Sequence, residues 1–107
     1  MTPAQTRALR TVARSDGPVR MSALADQLGI ARRSTTDIVG ELVERELVAR
    51  VADPCDGRGV AVELTGDGRA LLDRLTAGRR AATESLLAGL TQDERDQLAA
   101  LLRHLVP

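Results

Sequence analysis

Gly29 stands between two short stretches whose apolar residues recur at helical spacing, and few folds accept that pattern. The first stretch, Ser22–Leu28, reads as a helix opened by Ser22 as N-cap, with Leu24, Ala25 and Leu28 as its apolar stripe. Glycine enters the left-handed conformation without steric penalty, so Gly29 ends that helix and Ile30 plugs the corner. A second helix is predicted from about Arg32 to Glu46, with Thr35, Ile38, Val39 and Leu42 as its inner face. Two helices joined by a tight glycine turn form a helix-turn-helix, the geometry that presents its second helix to a DNA major groove.

The next segment reads as a β-hairpin. Leu47–Ala52 and Val60–Leu64 are β-branched runs, and Asp53-Pro54-Cys55-Asp56-Gly57-Arg58-Gly59 lies between them. Asp56-Gly57 favours positive φ and Pro54 cannot donate to a ladder, which makes this segment the tip. Arg58 is its one cation. Helix, helix and hairpin in that order make a winged helix.

Around this centre, Thr2-Pro3 is a helix start, a cap followed by proline at the first helical position. Ala4, Ala8, Leu9, Val12 and Ala13 continue that helix to about Ser15, and Asp16-Gly17-Pro18 breaks it. Arg7, Arg10 and Arg14 fall on its outer side and read as a solvated face. Val19-Arg20-Met21 is predicted to be a short strand pairing with the wing. After the wing, Thr65 caps a long helix to about Ala88, with Leu71, Leu72, Leu75, Ala82, Leu86 and Leu87 as its stripe. Gly89 ends it. Thr91-Gln92-Asp93-Glu94 is a capping box opening a last helix with Leu98, Leu101, Leu102 and Leu105 at helical spacing. These two helices have no evident core of their own to cover, so a homodimer built on them is expected. The expected fold class is mainly α with a small β wing. Residues 1–64 would be the winged helix-turn-helix, and residues 65–107 the helical dimerisation region, within one compact domain.

Composition limits the possibilities further. At 107 residues without Phe, Tyr or Trp, the core must come from Leu, Val, Ile, Met and Ala. A chain of this size buries roughly 60–68% of its unfolded surface, so a second subunit would add stability. Every basic residue is arginine, and fifteen acids balance the fifteen arginines. Zero net charge is mildly adverse to nucleic-acid binding, for which only the potential on one face matters. One cysteine excludes an internal disulfide framework. No signal peptide and no apolar run near about 20 residues is present, which predicts a cytoplasmic protein with no membrane partner.

Several of these stretches together resemble the MarR (multiple antibiotic resistance regulator) type of transcription factor. They are Leu24–Ile30, the recognition stretch Arg32-Arg33-Ser34-Thr35-Thr36, the wing Asp53–Arg58, and the junction Leu64-Thr65-Gly66-Asp67-Gly68-Arg69. The resemblance implies a dimeric, sequence-specific regulator, usually a repressor, binding a palindromic site on double-stranded DNA in the nucleoid. It also implies a small phenolic or lipophilic effector and no cofactor. Relative to that family the chain starts late, since members usually carry a further helix before this point. Arg58 would then enter the minor groove, with Asp56 as support of the wing.

On the second helix, the face opposite Ile38 and Leu42 carries Arg33, Thr36, Asp37, Gly40 and Glu44, with Arg32 at the flank. Arg33 is suited to a bidentate guanine contact, and Thr36 to a base, a thymine methyl or a phosphate. Arg32 is placed to grip phosphate near the positive end of the helix dipole. Asp37 would repel phosphate, yet it offers an acceptor to a cytosine amino group. Ala31 stands where a capping Ser or Thr is common. Asp37, Glu41, Glu44 and the zero net charge favour a competing reading, a winged-helix protein-interaction module without DNA affinity. Cys55 lies between two acids with no second cysteine, which argues against an oxidation sensor. His104 has no partners for a metal site. With no phosphate loop and no catalytic grouping, the sequence gives no basis for an enzyme.

Overall fold

The computed structural model describes residues 1–105 and divides into two compact units, Met1–Asp73 and Arg74–Pro107. The first unit opens with α1 (Pro3–Ala13), β1 (Val19–Arg20), α2 (Met21–Leu28) and α3 (Arg32–Glu44). The strands β2 (Val48–Ala52) and β3 (Val60–Leu64) follow, and then α4 (Gly66–Leu87), within which the boundary between the units falls. The three strands form one antiparallel sheet in the order β1-β3-β2, with Val19 opposite Val62 and Arg50 opposite Val62 on the other side. The expected short strand before α2 therefore does pair with the wing.

The apolar part of the core is aliphatic, with no aromatic side chain. Leu9, Leu24, Val39, Leu42 and Val62 are almost completely buried, contributed by three helices and the sheet. Thr35 is also fully buried, and its hydroxyl donates to the Ala31 carbonyl oxygen at 3.1 Å. A hydroxyl can enter a core at little cost only when it is bonded in this way.

The helix termini differ from expectation in instructive ways. Thr2 caps α1 as predicted, and Gln5 completes a capping box by accepting from the Thr2 amide at 3.1 Å. Gln5 rather than Ala4 is the buried residue of that first turn, because its Nε2 donates to Glu41 Oε2 on α3 at 2.6 Å. Ser22 is not the N-cap of α2. The helix begins at Met21 straight from β1, with Arg20 as an N-cap whose side chain makes no capping bond to the helix.

Gly29 does end α2 in the left-handed region, at φ 68. By contrast α3 stops at Glu44, earlier than its apolar pattern suggested, through a Schellman arrangement. The Glu46 amide donates to the Val43 carbonyl at 2.9 Å and the Leu47 amide to the Leu42 carbonyl at 3.0 Å. Glu46 itself takes the left-handed conformation at φ 60, unusual for a residue with a Cβ.

Thr65 joins the wing to α4. Its hydroxyl accepts from the Gly68 amide at 3.0 Å, as an N-cap does, and donates to the Glu46 carbonyl at 2.7 Å. Gly68 is buried against the backbone of Leu47, where any Cβ would collide with the carbonyl oxygen.

In the second unit the end of α4 is followed by α5 (Gln92–Leu105). The predicted capping box is present, Thr91 and Glu94 exchanging bonds of 2.9 and 3.2 Å. Arg95 reaches back with Nε and Nη2 to the Leu87 carbonyl, at 3.2 and 2.9 Å. No residue of α5 is buried, and Leu101 and Leu105 are 64% and 78% exposed.

Candidate nucleic-acid interface

The first turns of α3 present Arg32, Arg33, Ser34, Thr36 and Asp37 to solvent. This follows from the helical period: Thr35, Val39 and Leu42 are committed to the core, so the intervening positions face outward. Ala31 is extended and makes no side-chain cap, leaving the first-turn amides of α3 without a side-chain acceptor. Thr36 Oγ1 donates to the Arg32 carbonyl at 3.0 Å. Among the described residues Arg20–Asp53 is the one ion pair, so Arg32, Arg33 and Arg58 carry uncommitted charge.

The wing tip is held by two aspartates with separate tasks. Asp56 Oδ1 accepts from the Arg58 amide at 3.1 Å, and the Asp56 carbonyl accepts from the Gly59 amide at 2.9 Å. The Arg58 side chain remains exposed beyond this turn. Gly57 does not adopt positive φ, contrary to the Asp-Gly expectation. The side-chain bonds of the aspartates bend the chain instead, a mimic of a backbone turn that needs no left-handed residue.

Asp53 is the residue that sequence reasoning missed. Its side chain is only 5% exposed, and Arg20 Nε lies 2.6 Å from Asp53 Oδ2. Asp53 Oδ1 accepts from the Cys55 amide at 2.9 Å, while the Asp53 amide donates to the Gly59 carbonyl at 3.0 Å. A single carboxylate thus joins the base of the hairpin tip to β1. No local pattern announces this pair; only the register that sets Arg20 opposite Ala61 brings it together.

These elements border one groove of about 340 Å³, to which α3 contributes Arg32 and Thr36 and the wing contributes Asp53 and Asp56. Arg20 lines it as well. Arg33, Ser34 and Asp37 lie on the exposed surface of α3 outside that lining. Gly40 lies beside Arg50, but an added Cβ would stand 3.6 Å from Arg50 Nη2, so nothing in the structure requires glycine there. Cys55 and His104 are both exposed, and the described residues contain no group of three potential metal ligands. No described helix is long and apolar enough to cross a membrane.

Helix-turn-helix, three-stranded sheet and hairpin together define a winged helix-turn-helix protein. Residues 1–59 match the MarR family model, and the chain belongs to the MarR family. A probable transcriptional regulator from Pseudomonas aeruginosa is 33% identical, with a TM-score of 0.72, over 99% of this chain and 79% of that one. MarR from E. coli is 29% identical with a TM-score of 0.81, over 100% of this chain and 79% of that one. A mutant of S. aureus MepR bound to an oligodeoxyribonucleotide shares the fold at 21% identity and a TM-score of 0.78, over 99% of this chain and 78% of that one. No curated protein matches the chain.

Proposed function

We propose that this transcriptional regulator works as a homodimeric repressor that reads a palindromic operator. The first turns of α3 enter the major groove, where Arg33 contacts a guanine edge and Arg32 a phosphate. Ser34, Thr36 and Asp37 complete the surface facing the bases, and Arg58 of the wing enters the neighbouring minor groove. The observation that carries this reading is the set of three exposed arginines without ion-pair partners, placed on the first turn of α3 and on the adjoining hairpin tip. Asp56, bonded to the Arg58 backbone, supports the tip.

Dimer formation is supported by α5, whose Leu98, Leu101, Leu102 and Leu105 are all exposed in the single chain. Contiguous apolar surface of that kind marks an interface. A lipophilic effector fits the family, and S. aureus MepR has been solved with ethidium bromide. With no Phe, Tyr or Trp in this chain, any such ligand would be held by aliphatic side chains and arginine rather than by aromatic side chains. Attachment to chromosomal DNA would place the protein in the nucleoid.

Selection of bound fragments from a random duplex pool tests the reading directly. The expected product is an inverted repeat whose half-sites lie one helical turn apart, bound by a species that light scattering sizes as a dimer. Failure to enrich any duplex, with a monomeric mass at micromolar concentration, would replace the regulator with a protein-interaction module. Higher transcription from a promoter bearing the selected site after deletion of the gene would establish the repressor sense.

A further inference from the structure

We infer that Arg20 is a positioning residue for Arg58: through the buried carboxylate of Asp53 it fixes the wing tip relative to the recognition helix. The inference rests on the DNA-binding reading above and adds to it a residue outside both the recognition helix and the wing. Asp53 gathers three bonds at the neck of the hairpin: Arg20 Nε on Oδ2, the Cys55 amide on Oδ1, and its own amide on the Gly59 carbonyl. Arg20 is the last residue of β1 and directly precedes α2, so it belongs to the rigid frame that carries the helix-turn-helix.

The tip beyond this neck has little else to hold it. Residues 54–58 are exposed, and the bonds within them are local turns. Without Arg20, the buried Asp53 carboxylate would lose its counter-charge and turn toward water, releasing the Cys55 amide. The hairpin would remain paired through β2 and β3, but its tip would wander. Arg58 would then reach the minor groove only in a fraction of conformers, which lowers apparent affinity by that fraction. The Arg20 side chain is itself half exposed and lines the groove beside Arg32 and Thr36, so a direct phosphate contact is the alternative that the test must separate.

The test is a double-mutant cycle on the full chain, read by anisotropy on the duplex recovered from the random pool at several salt concentrations. Amide exchange in the free protein is measured alongside. Arg20→Ala is expected to weaken binding by about tenfold, comparable to Arg58→Ala, and to add almost nothing in the Arg58→Ala background. Exchange at the Cys55 amide, which donates to the Asp53 carboxylate, is expected to speed up by about tenfold in Arg20→Ala. Arg20→Lys, which keeps the charge on Asp53, should restore both. Additive losses in the double mutant, with Arg20→Ala lowering the salt slope in the absence of Arg58, would overturn the positioning role in favour of a direct phosphate contact. Unchanged tip exchange in Arg20→Ala would overturn the clamp itself. A wild-type chain that binds no duplex, with tip exchange still dependent on Arg20, would defeat the regulator reading and leave the clamp without a DNA role.

Discussion

Replacing Gly68 by alanine puts a methyl group where the chain has no room for one. An ideal Cβ would collide with the Leu47 carbonyl oxygen and lie 3.1 Å from its carbon and 2.8 Å from Leu64 Cδ1. Leu64 has some freedom to move, but the Leu47 backbone does not. Its amide is bonded to Leu42 at 3.0 Å, and its carbonyl accepts from the Thr65 amide at 3.1 Å. Relief therefore means displacing the start of α4, which strains the Thr65 bonds to Glu46 and Gly68 together. Overpacking costs about 1–3 kcal/mol, a lost backbone bond about 1 kcal/mol, and a damaged cap about 0.5–2 kcal/mol. The helix propensity of alanine returns about 1 kcal/mol. The net expectation is a loss of about 1.5–5 kcal/mol, a fall in Tm of roughly 7–22 °C.

Thermal melts by circular dichroism at fixed protein concentration measure this. Gly78→Ala is the control, since nothing lies within 4 Å of its added Cβ, and it should gain about 0.5–1 kcal/mol from propensity alone. A Gly68→Ala chain that melts at or above wild type would refute the reasoning. So would a Gly78→Ala chain that loses as much as Gly68→Ala.

Three further outcomes are expected. Arg58→Ala should weaken binding to all duplexes and lower the slope of log K against log salt by about one, as anisotropy titrations would show. Arg33→Ala should cost about 1–3 kcal/mol and relax preference at a single base position in a repeated pool selection, leaving the rest of the site intact. Glu46→Gly should stabilise the fold by about 1 kcal/mol in urea melts, because glycine accepts φ 60 without the Cβ penalty.

The architecture was legible in the sequence wherever a local rule decided it. The glycine turn at Gly29, the Thr2 and Thr91 caps, the Thr65 start of α4 and the two wing strands all follow from spacing and residue chemistry within a few positions. The misreadings arose where a tertiary contact outvoted the local preference. Ser22 lost the capping role because β1 runs directly into α2. The burial of Gln5 in place of Ala4 depends on Glu41, a residue of another helix. Asp-Gly suggested a left-handed turn, but side-chain acceptors on Asp53 and Asp56 made one unnecessary. For the candidate interface, the exposure of the α3 arginines could be read from helical projection, whereas the tie between Arg20 and Asp53 spans more than thirty residues and exists only once the sheet forms.

In the proposed complex, the bond from Thr36 to the Arg32 carbonyl narrows what that side chain can say to a nucleotide. Its single proton is already spent on its own helix, so it offers a neighbour only lone pairs and a methyl. Exocyclic amines of adenine or cytosine and the hydrocarbon corner of thymine suit such a surface. While that bond holds, guanine O6 and N7 and the anionic sugar–phosphate rail, which ask for a donor, find none at Thr36, so at this position the vocabulary is one of acceptance.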